Sequence, residues 1–377
     1  MRIGFDAKRA AQNRTGLGNY SRLVIRILSQ NVTEHEYHLY TPKANRTPYL
    51  KEIPTLSLLH LHFPRTRLWQ RFSSLWRMVG ITADIRRDGI DIFHGLSNEL
   101  PLNISHSGCK SVVTIHDLIF LHCPQYYHWA DRQIYNYKFR RACNMADRVI
   151  AVSEYTKREI IQYYGTPENK IDVVYQGCDP VFSQYIDNDK LADVKKKYSL
   201  PDKFLLYVGS IEQRKNLMLV AKAIVKLKEQ GNTANIVAVG KHTPYVDEIK
   251  DYVKAQGLEN RLTFCHNVTY DDLPSFYKLA TVFVYPSRIE GFGIPLLEAI
   301  SSGVPAIGCT GSCLEEAGGP DSIYVNPDDD TAMANAIQRV TGDTELRQKM
   351  IESGKIFAQN FTDEKLCADL VAVYNKL

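Results

Sequence analysis

Two glutamates frame a glycine-containing loop in the second half of the chain, in the segment PSRIEGFGIPLLEAISSG at residues 286–303. Glycine at positions 291 and 293 removes side chains, so the backbone can approach a ligand closely. Pro295 suits the first turn of a helix that Gly303 would end. Because a helix start presents N–H groups and a positive dipole to an anion, the segment predicts a diphosphate site.

The two glutamates of this segment offer different chemistry. Glu298 falls one turn into the predicted helix, where its carboxylate can accept hydrogen bonds from two vicinal hydroxyls, such as those of a ribose. Glu290 follows the buried strand TVFVY and is expected to face the ligand. Taken alone, Glu290 is better explained as a solvated loop charge and Glu298 as a charge at a helix start. The glycine loop and helix start between them favour function.

A pair of cations stands ahead of another predicted helix, in VGSIEQRKNLMLVAKAIVKLKEQG at residues 208–231. Asn216 is expected to cap this helix, with Arg214 and Lys215 in the loop before it. Two cations beside a helix start suit a diphosphate leaving group. The alternative is an exposed pair of loop charges, and the glycine loop in the same half favours phosphate binding.

Two signals in the first half are weaker. Gly16 and Gly18 precede a helix some ten residues after the first strand, and Ser21 stands where a dinucleotide fingerprint needs a third glycine. A loop that reaches a sugar or phosphate and a plain strand–helix turn remain equally good readings. His116 ends a buried strand, where it could bind a sugar hydroxyl or assist proton movement. The alternative is a core histidine held by Asp117.

The elements that must position these residues alternate between short apolar strands and longer helical patterns. Thirteen strands are predicted, seven before residue 177 and six from residue 204 onward, which indicates an α/β protein with parallel sheets. We predict two doubly wound Rossmann-like domains facing a cleft, over residues 1–180 and 181–361. A final helix at 362–377 is expected to cross back to the first domain.

Composition excludes several classes of protein. The chain has 46 Lys+Arg against 42 Asp+Glu, and this net charge of +4 is too weak to indicate nucleic-acid binding. No apolar run approaches the ~20 residues that span a bilayer, and MRIGFDAKRA does not resemble a signal peptide. Eight scattered cysteines without a CxxC motif suggest reduced thiols in a cytoplasmic protein. No metal-ligand spacing is found, so neither a metal nor a cofactor is expected.

Residues 65–79 combine apolar side chains at helical spacing with four arginines. The apolar set is Leu68, Phe72, Leu75, Trp76 and Val79. Such a helix could lie on an anionic membrane, which would make the protein peripheral on the inner membrane face. We favour the alternative, in which the apolar face packs on the sheet.

The motifs together resemble a known family. The pair Glu290 and Glu298 separated by seven residues, RKN at 214–216 and HD at 116–117 are similar to those of retaining GT-B glycosyltransferases of the family-four type. The segments TGLGNY and AVSEYTKREI add to the resemblance, which covers nearly the whole chain. Bacterial mannosyltransferases of polysaccharide synthesis are the most similar branch.

The resemblance implies a function. A hexose, with mannose favoured, would move from a nucleotide diphosphate sugar to a saccharide or lipid-linked acceptor, with retention and without a metal. The first domain would serve the acceptor and the second the nucleotide sugar. The catalytic group would be Glu290, His116, Lys215 and Arg214. Donor-binding positions would be Glu298, Gly291, Phe292, Gly293, Ile294, Gly16 and Gly18. One departure is Ser210, where many members carry an arginine that Arg214 could replace.

Other functions stay open at this point. A UDP-sugar could replace the mannose donor, which would make the protein a glucosyl- or galactosyltransferase. An NAD-type oxidoreductase on a Rossmann fold requires GxGxxG after the first strand, which is missing. A non-catalytic protein that binds nucleotide sugars would use the same residues without turnover. Phosphorolysis or epimerisation would use a different leaving-group chemistry.

Overall fold

The computed structural model describes all 377 residues and contains two compact units. One unit comprises residues 1–177 together with 363–377, and the other comprises residues 178–362. Each is an α/β unit built on one fully parallel sheet, which confirms the predicted fold class. All thirteen predicted strands are present.

The first unit contains a seven-stranded sheet with the order β3-β2-β1-β4-β5-β6-β7. Its strands are β1 (Arg2–Asp6), β2 (Glu36–Tyr40), β3 (His60–His62), β4 (Ile92–Gly95), β5 (Lys110–Ile115), β6 (Arg148–Ala151) and β7 (Ile171–Val173). Its helices are α1 (Lys8–Gln12), α2 (Gly16–Asn31), α3 (Arg67–Arg71), α4 (Ser73–Leu75), α5 (Ile81–Arg87), α6 (Ile119–His122), α7 (Trp129–Met145) and α8 (Glu154–Tyr164).

The second unit contains a six-stranded sheet with the order β10-β9-β8-β11-β12-β13. Its strands are β8 (Leu205–Val208), β9 (Ile236–Val239), β10 (Leu262–Cys265), β11 (Val282–Tyr285), β12 (Ala306–Cys309) and β13 (Ile323–Val325). Its helices are α9 (Asn188–Lys197), α10 (Leu217–Glu229), α11 (Pro244–Ala255), α12 (Leu273–Leu279), α13 (Ile294–Ser301), α14 (Leu314–Gly318), α15 (Asp330–Gly342) and α16 (Thr344–Ala358).

The central strands are continuous apolar runs because helices cover both faces of each sheet. In β8, β9 and β11 every residue is buried. Local signals fix the helix ends. Ser153 caps α8 by accepting a hydrogen bond from the N–H of Thr156, and Gly165 ends the helix in the left-handed conformation at φ 63°. The serine cap and the left-handed glycine therefore set the start and the end of α8.

The last helix, α17 (Asp363–Tyr374), belongs to the first unit. Its apolar face joins the core that α2 and β1 form, with Leu370 fully buried. The hydroxyl of Tyr374 lies 2.7 Å from Nδ1 of His94, while Nε2 of His94 lies 2.8 Å from the Thr114 hydroxyl. Both ring nitrogens of His94 are therefore hydrogen-bonded within the core, and the side chain links α17 to β4.

Residues 65–79 form the short helices α3 and α4 and a π-helical turn, not one continuous amphipathic helix. The favoured packing holds for Trp76, which is 1 % exposed, but is wrong for three residues that face solvent. These are Leu68, Phe72 and Leu75. Arg77, one of the four arginines of this segment, is only 11 % exposed and forms ion pairs with Asp6 and Glu99. No helix in the protein has both the length and the apolar composition needed to cross a membrane.

Candidate functional site

The candidate site of the second unit lies where its strand order reverses. Strands β8 and β11 are neighbours in the sheet, while their helical connections leave in opposite directions. Ligands of open α/β sheets bind at such a switch point, beyond the carboxyl ends of the strands. The loop after β8 carries Arg214 and Lys215, and the loop after β11 carries Glu290. The fold therefore brings together residues that are about 75 positions apart in the chain.

Glu290 is the centre of a buried polar cluster and is only 9 % exposed. Its Oε1 lies 2.5 Å from Nζ of Lys215 and 3.4 Å from a guanidinium nitrogen of Arg214. The hydroxyls of Ser287 and Tyr285 donate to the same oxygen at 2.5 and 3.1 Å. The sequence predicted that Glu290 faces the ligand and that the cations hold a diphosphate, but not that these groups pair with each other.

The charges in this cluster stabilise one another. Burial by itself would raise the pKa of Glu290, but Lys215 and Arg214 outweigh it and lower the pKa to about 2. Burial lowers the pKa of Lys215, and the neighbouring Glu290 opposes this shift. Glu290 is therefore ionised throughout the neutral range and is held in place by four donors.

Arg214 connects the cluster to the loop after β8. It donates to the backbone oxygen of Ile289 at 2.7 Å and pairs with Glu212 at 3.1 Å. Ser210, at the position where an arginine was expected, donates to the same Glu212 oxygen at 3.0 Å. The two cations thus face two carboxylates, so their charges balance. Glu212 is half exposed and can turn away, which would leave Arg214 available for an anion.

The glycine loop after Glu290 leads directly into α13. Gly293 adopts φ 113°, and a Cβ there would lie 2.8 Å from a methyl of Leu314, so glycine is required for two reasons. Below the loop, the buried Cys313 thiol lies 3.0 Å from the backbone oxygens of Glu290 and Phe292. No side chain caps α13, and an uncapped helix start is a suitable place for an anion. The diphosphate site itself stays a prediction.

Glu298 projects from the second turn of α13. The hydroxyl of Tyr277 donates to its Oε2 at 2.7 Å, which leaves Oε1 as an acceptor. Burial, with a contribution from the charge of Asp179, raises the pKa of Glu298 to about 7 despite the bond from Tyr277. The side chain therefore changes its charge within the physiological range.

His116 in the first unit is buried and fixed by its neighbours. Its Nε2 lies 2.9 Å from the backbone oxygen of Leu96, so this nitrogen must donate, and Nδ1 carries the lone pair. The ring of Tyr20 packs edge-on against the His116 ring, with 4.6 Å between the ring centroids. Burial lowers the pKa of His116 to about 4, so the ring is neutral near pH 7. Leu96, rather than Asp117, thus orients the ring, which suits an acceptor more than a proton shuttle.

The first-half glycines have separate structural settings. Helix α1 occupies much of the segment that was expected to be a loop, and α2 begins at Gly16. A Cβ at Gly18 would lie 1.8 Å from the backbone oxygen of Asn13, so close packing within the unit explains this glycine. No atom lies within 4 Å of a Cβ placed at Gly16, so close packing does not explain this glycine, and its contact with the donor stays a prediction.

One local prediction was wrong, and several site residues were missed. Asn216 stands at the start of α10 in the left-handed conformation, but its amide donates to the backbone oxygen of Pro327 instead of capping the helix. The missed residues are Glu212, Tyr277, Tyr285, Ser287 and Cys313. Of these residues, only Tyr285 could have been predicted from the sequence, because it stands at the carboxyl end of a buried strand, where ligands of such sheets bind.

Comparison with known proteins gives the class of this fold and site. Residues 15–182 match the model for glycosyltransferase family 4, and residues 189–357 match the model for glycosyl transferases group 1. The chain belongs to the GT-B glycosyltransferases, with a family 4 domain followed by a group 1 domain. It is a hexosyltransferase, which removes the oxidoreductase and the non-catalytic binding protein from consideration.

Individual relatives and structures agree with this membership. The chain is 28 % identical to O-antigen chain mannosyltransferase B of Escherichia coli over 291 residues, which cover 76 % of this chain and 74 % of that protein. It is 29 % identical to the serotype-specific mannosyltransferase WbdA of Escherichia coli, covering 64 % of this chain but only 30 % of WbdA. The structure of Anabaena HepE with UDP and glucose matches with a TM-score of 0.76 at 17 % identity over the full length of both chains.

Proposed function

We propose that this glycosyltransferase moves mannose from a nucleotide diphosphate sugar to a saccharide or lipid-linked acceptor, retaining the anomeric configuration and using no metal ion. The buried cluster of Glu290, Lys215 and Arg214 beside the open start of α13 carries the proposal. The preference for mannose is supported by two relatives that are mannosyltransferases.

In this proposal, the second unit holds the donor. The diphosphate accepts hydrogen bonds from the first turn of α13 and from Arg214 once Glu212 turns away. Oε1 of Glu298 accepts a hydrogen bond from the ribose. As the bond between the sugar and the diphosphate breaks, Lys215 and Arg214 stabilise the negative charge that develops on the leaving group. Cations fixed in advance supply the stabilisation that a divalent metal would otherwise give.

Glu290 is proposed to stabilise the positive charge of the sugar in the transition state without attacking it. A carboxylate that accepts several hydrogen bonds and has a pKa of about 2 is a weak nucleophile. The acceptor hydroxyl would then attack from the face that the diphosphate leaves and pass its proton to the departing diphosphate, in an ion-pair-like substitution that retains configuration. Isolation of a covalent glycosyl adduct on Glu290 would contradict this mechanism.

His116 is proposed to accept a hydrogen bond from a sugar hydroxyl through Nδ1. Its bond to Leu96 fixes the tautomer, and its low pKa keeps the ring neutral. A neutral acceptor discriminates between hydroxyl positions without moving a proton. We expect His116→Ala to weaken sugar discrimination more than nucleotide binding.

A donor panel tests the proposed function. GDP-mannose, UDP-glucose and UDP-galactose should be offered with lipid-linked and free saccharide acceptors, and NMR should follow the anomeric proton of the product. We expect transfer from GDP-mannose with retained configuration, at an unchanged rate in excess EDTA. Transfer from a UDP-sugar alone would contradict GDP-mannose as the donor. An inverted product would contradict retention, and loss of activity in EDTA would contradict metal independence.

We also propose that the enzyme works in the cytoplasm and touches an anionic membrane through residues 65–75. The eight cysteines form no disulfide, which suits a reducing compartment. The exposed side chains of Leu68, Phe72 and Leu75 lie on the same short segment as Arg65, Arg67 and Arg71. Apolar side chains with flanking arginines suit the interface of an anionic bilayer.

A further inference from the structure

Three histidines and two carboxylates gather on one face at the edge of the first sheet. Strand β3 is the edge strand, and its register with β2 places His60 opposite His38 and His62 opposite Tyr40. Glu36 lies two residues before His38 and so shares its face. Within this group, a ligand atom from each of Glu36, His38 and His60 lies within 4.8 Å of the others.

A relay of hydrogen bonds fixes the protonation of His38. Asp88 Oδ2 lies 3.0 Å from Nδ1 of His62, and an ionised carboxylate only accepts, so His62 donates through Nδ1. A neutral His62 then accepts through Nε2, which lies 2.9 Å from Nδ1 of His38. His38 must therefore donate through Nδ1, which leaves the lone pair on its Nε2.

This lone pair has no partner in the protein. The side chain of His38 is 9 % exposed, and its Nε2 is buried without a hydrogen bond. Oε2 of Glu36, which is also an acceptor, lies 3.7 Å from this nitrogen. The Glu36 side chain is exposed but the His38 nitrogen is buried, and two acceptors that face each other repel unless a cation lies between them.

A neighbouring side chain does not fill the gap between these two acceptors. Arg2 approaches Glu36, with its Nε 3.1 Å from Oε2, but a carboxylate has enough lone pairs to hold a guanidinium and a metal together.

We propose that Glu36, His38 and His60 bind one divalent transition-metal ion of the Zn²⁺ class. Two imidazoles and one carboxylate, with water as the fourth ligand, form a known tetrahedral donor set for zinc. In that geometry, the ligand atoms lie about 3.4 Å apart, and the exposed side chains of Glu36 and His60 can turn to reach this spacing. His62 and Asp88 act as positioning residues because they orient the ring of His38.

The site would fasten the edge strand β3 to β2. Edge strands are held by fewer hydrogen bonds than inner strands, and β3 has only three residues. A metal ion bound to both strands stabilises the folded form by mass action. The ligands belong to the first unit, whereas the proposed donor-binding cluster of Lys215 and Glu290 belongs to the second. None of the three ligands is a residue of the proposed transfer site, so the metal proposal leaves the metal-free transfer reaction unchanged.

Titration of the tag-free, chelator-treated full chain tests the site. Zn²⁺ is followed by calorimetry, and Co²⁺ by the visible absorption of tetrahedral cobalt. We expect one ion per chain and a higher melting temperature with Zn²⁺. His60→Ala and Glu36→Gln should each weaken Zn²⁺ binding by at least about tenfold. Both side chains are exposed, so these variants should keep the fold, which melting in EDTA checks.

His106→Ala is the matched control because His106 is also an exposed histidine of the first unit but has no part in the cluster. This variant should bind Zn²⁺ as the native chain does. Equal affinity in the native chain and the His60→Ala variant would overturn the proposal, and so would the absence of saturable one-to-one binding near pH 7.

Discussion

Nζ of Lys215 lies 2.5 Å from Oε1 of Glu290, and both charged side chains are only 11 % exposed. A buried charge is costly unless it is paired, so each residue stabilises the ionised form of the other. The pair also links the loops that follow β8 and β11, the two strands at which the sheet order reverses. One contact therefore organises both loops around the open start of α13.

Replacement of Glu290 separates turnover from binding. Glu290→Gln keeps the shape of the side chain but removes its charge, so we expect kcat to fall by about 100-fold or more. The dissociation constant for the nucleoside diphosphate should change little, since Arg214 and the start of α13 remain. Steady-state kinetics and calorimetry measure the two effects. Comparable losses in affinity and turnover would show that Glu290 serves binding.

Substitution of Lys215, the ion-pair partner of Glu290, tests how much the pair contributes to stability. Lys215→Met leaves Glu290 buried and unpaired, which typically costs about 3–5 kcal/mol of stability. The double variant with Glu290→Gln has no unpaired charge and should melt at a higher temperature than Lys215→Met alone. If the double variant is less stable than both single variants, the pair does not provide the coupling described here.

The pKa of Glu298 gives nucleotide binding a pH dependence. Because the pKa is raised to about 7, the carboxyl is protonated below that value and ionised above it. An ionised carboxylate accepts the ribose hydroxyl better, so nucleotide affinity should rise from pH 6 to pH 8. Calorimetry across this range should show the rise in the native chain and a flat, weaker profile in Glu298→Ala. A native profile that is flat or falls with pH would contradict this role.

The raised pKa of Glu298 also makes the stability of the fold depend on pH, but stability should fall as the pH rises, whereas nucleotide affinity should increase. A carboxyl with a raised folded-state pKa favours the folded protein while it is neutral, and this contribution is lost as the pH rises through about 7.

The variant Tyr277→Phe tests the pKa of Glu298 directly because it removes the hydroxyl that donates to Oε2 of Glu298. We expect the midpoint of the binding profile to move to higher pH in this variant.

Glu212 is expected to limit the affinity for the diphosphate. It pairs with Arg214 at 3.1 Å and is 48 % exposed, so the pair is only modestly stable. Glu212→Gln should release Arg214 and tighten nucleoside diphosphate binding by up to about fivefold, the equivalent of 1 kcal/mol for an exposed pair. Ser210→Arg, which adds a cation beside Glu212, should act in the same direction. Weaker binding in both variants would place the diphosphate elsewhere.

Gly293 tests the need for a bare backbone at the start of α13. Gly293→Ala puts a methyl group 2.8 Å from Leu314 and requires an alanine at φ 113°, so it should destabilise the chain by more than about 1 kcal/mol. Gly16→Ala is the control because a methyl group there meets nothing within 4 Å. Thermal melting should separate the two variants, and equal melting temperatures would exclude strain at Gly293.

The exposed apolar side chains of α3 and its surroundings test the proposed membrane contact. Leu68→Ser with Phe72→Ser should reduce binding to anionic vesicles by at least about tenfold, since each apolar side chain contributes about 1.5–3 kcal/mol when buried. Ile356→Ser is the control because Ile356 is 73 % exposed but lies on α16. Vesicle sedimentation measures binding. Arg77 is unsuitable for this test because its charge is buried against Asp6.

Most of the fold could be predicted because its signals are local. Continuous apolar runs such as VFVY are typical of inner strands of a parallel sheet, and Pro295 and Gly303 indicate the ends of a helix by backbone preference. The candidate residues Lys215, Glu290 and Glu298 were selected on local signals too, since each stands just after a strand or at the start of a helix, and their roles stay predictions.

Local sequence patterns therefore specify the two parallel sheets, the positions of the loops after β8 and β11, and the family to which the chain belongs. Packing between distant segments fixes which residues are in contact: Lys215 pairs with Glu290, Tyr277 donates to Glu298, Arg77 pairs with Asp6, and His38 faces His60. The difference arises because backbone preferences and apolar patterns act over a few neighbouring residues. Pairing of charges and lone pairs depends on which strands and loops become neighbours in the folded sheet.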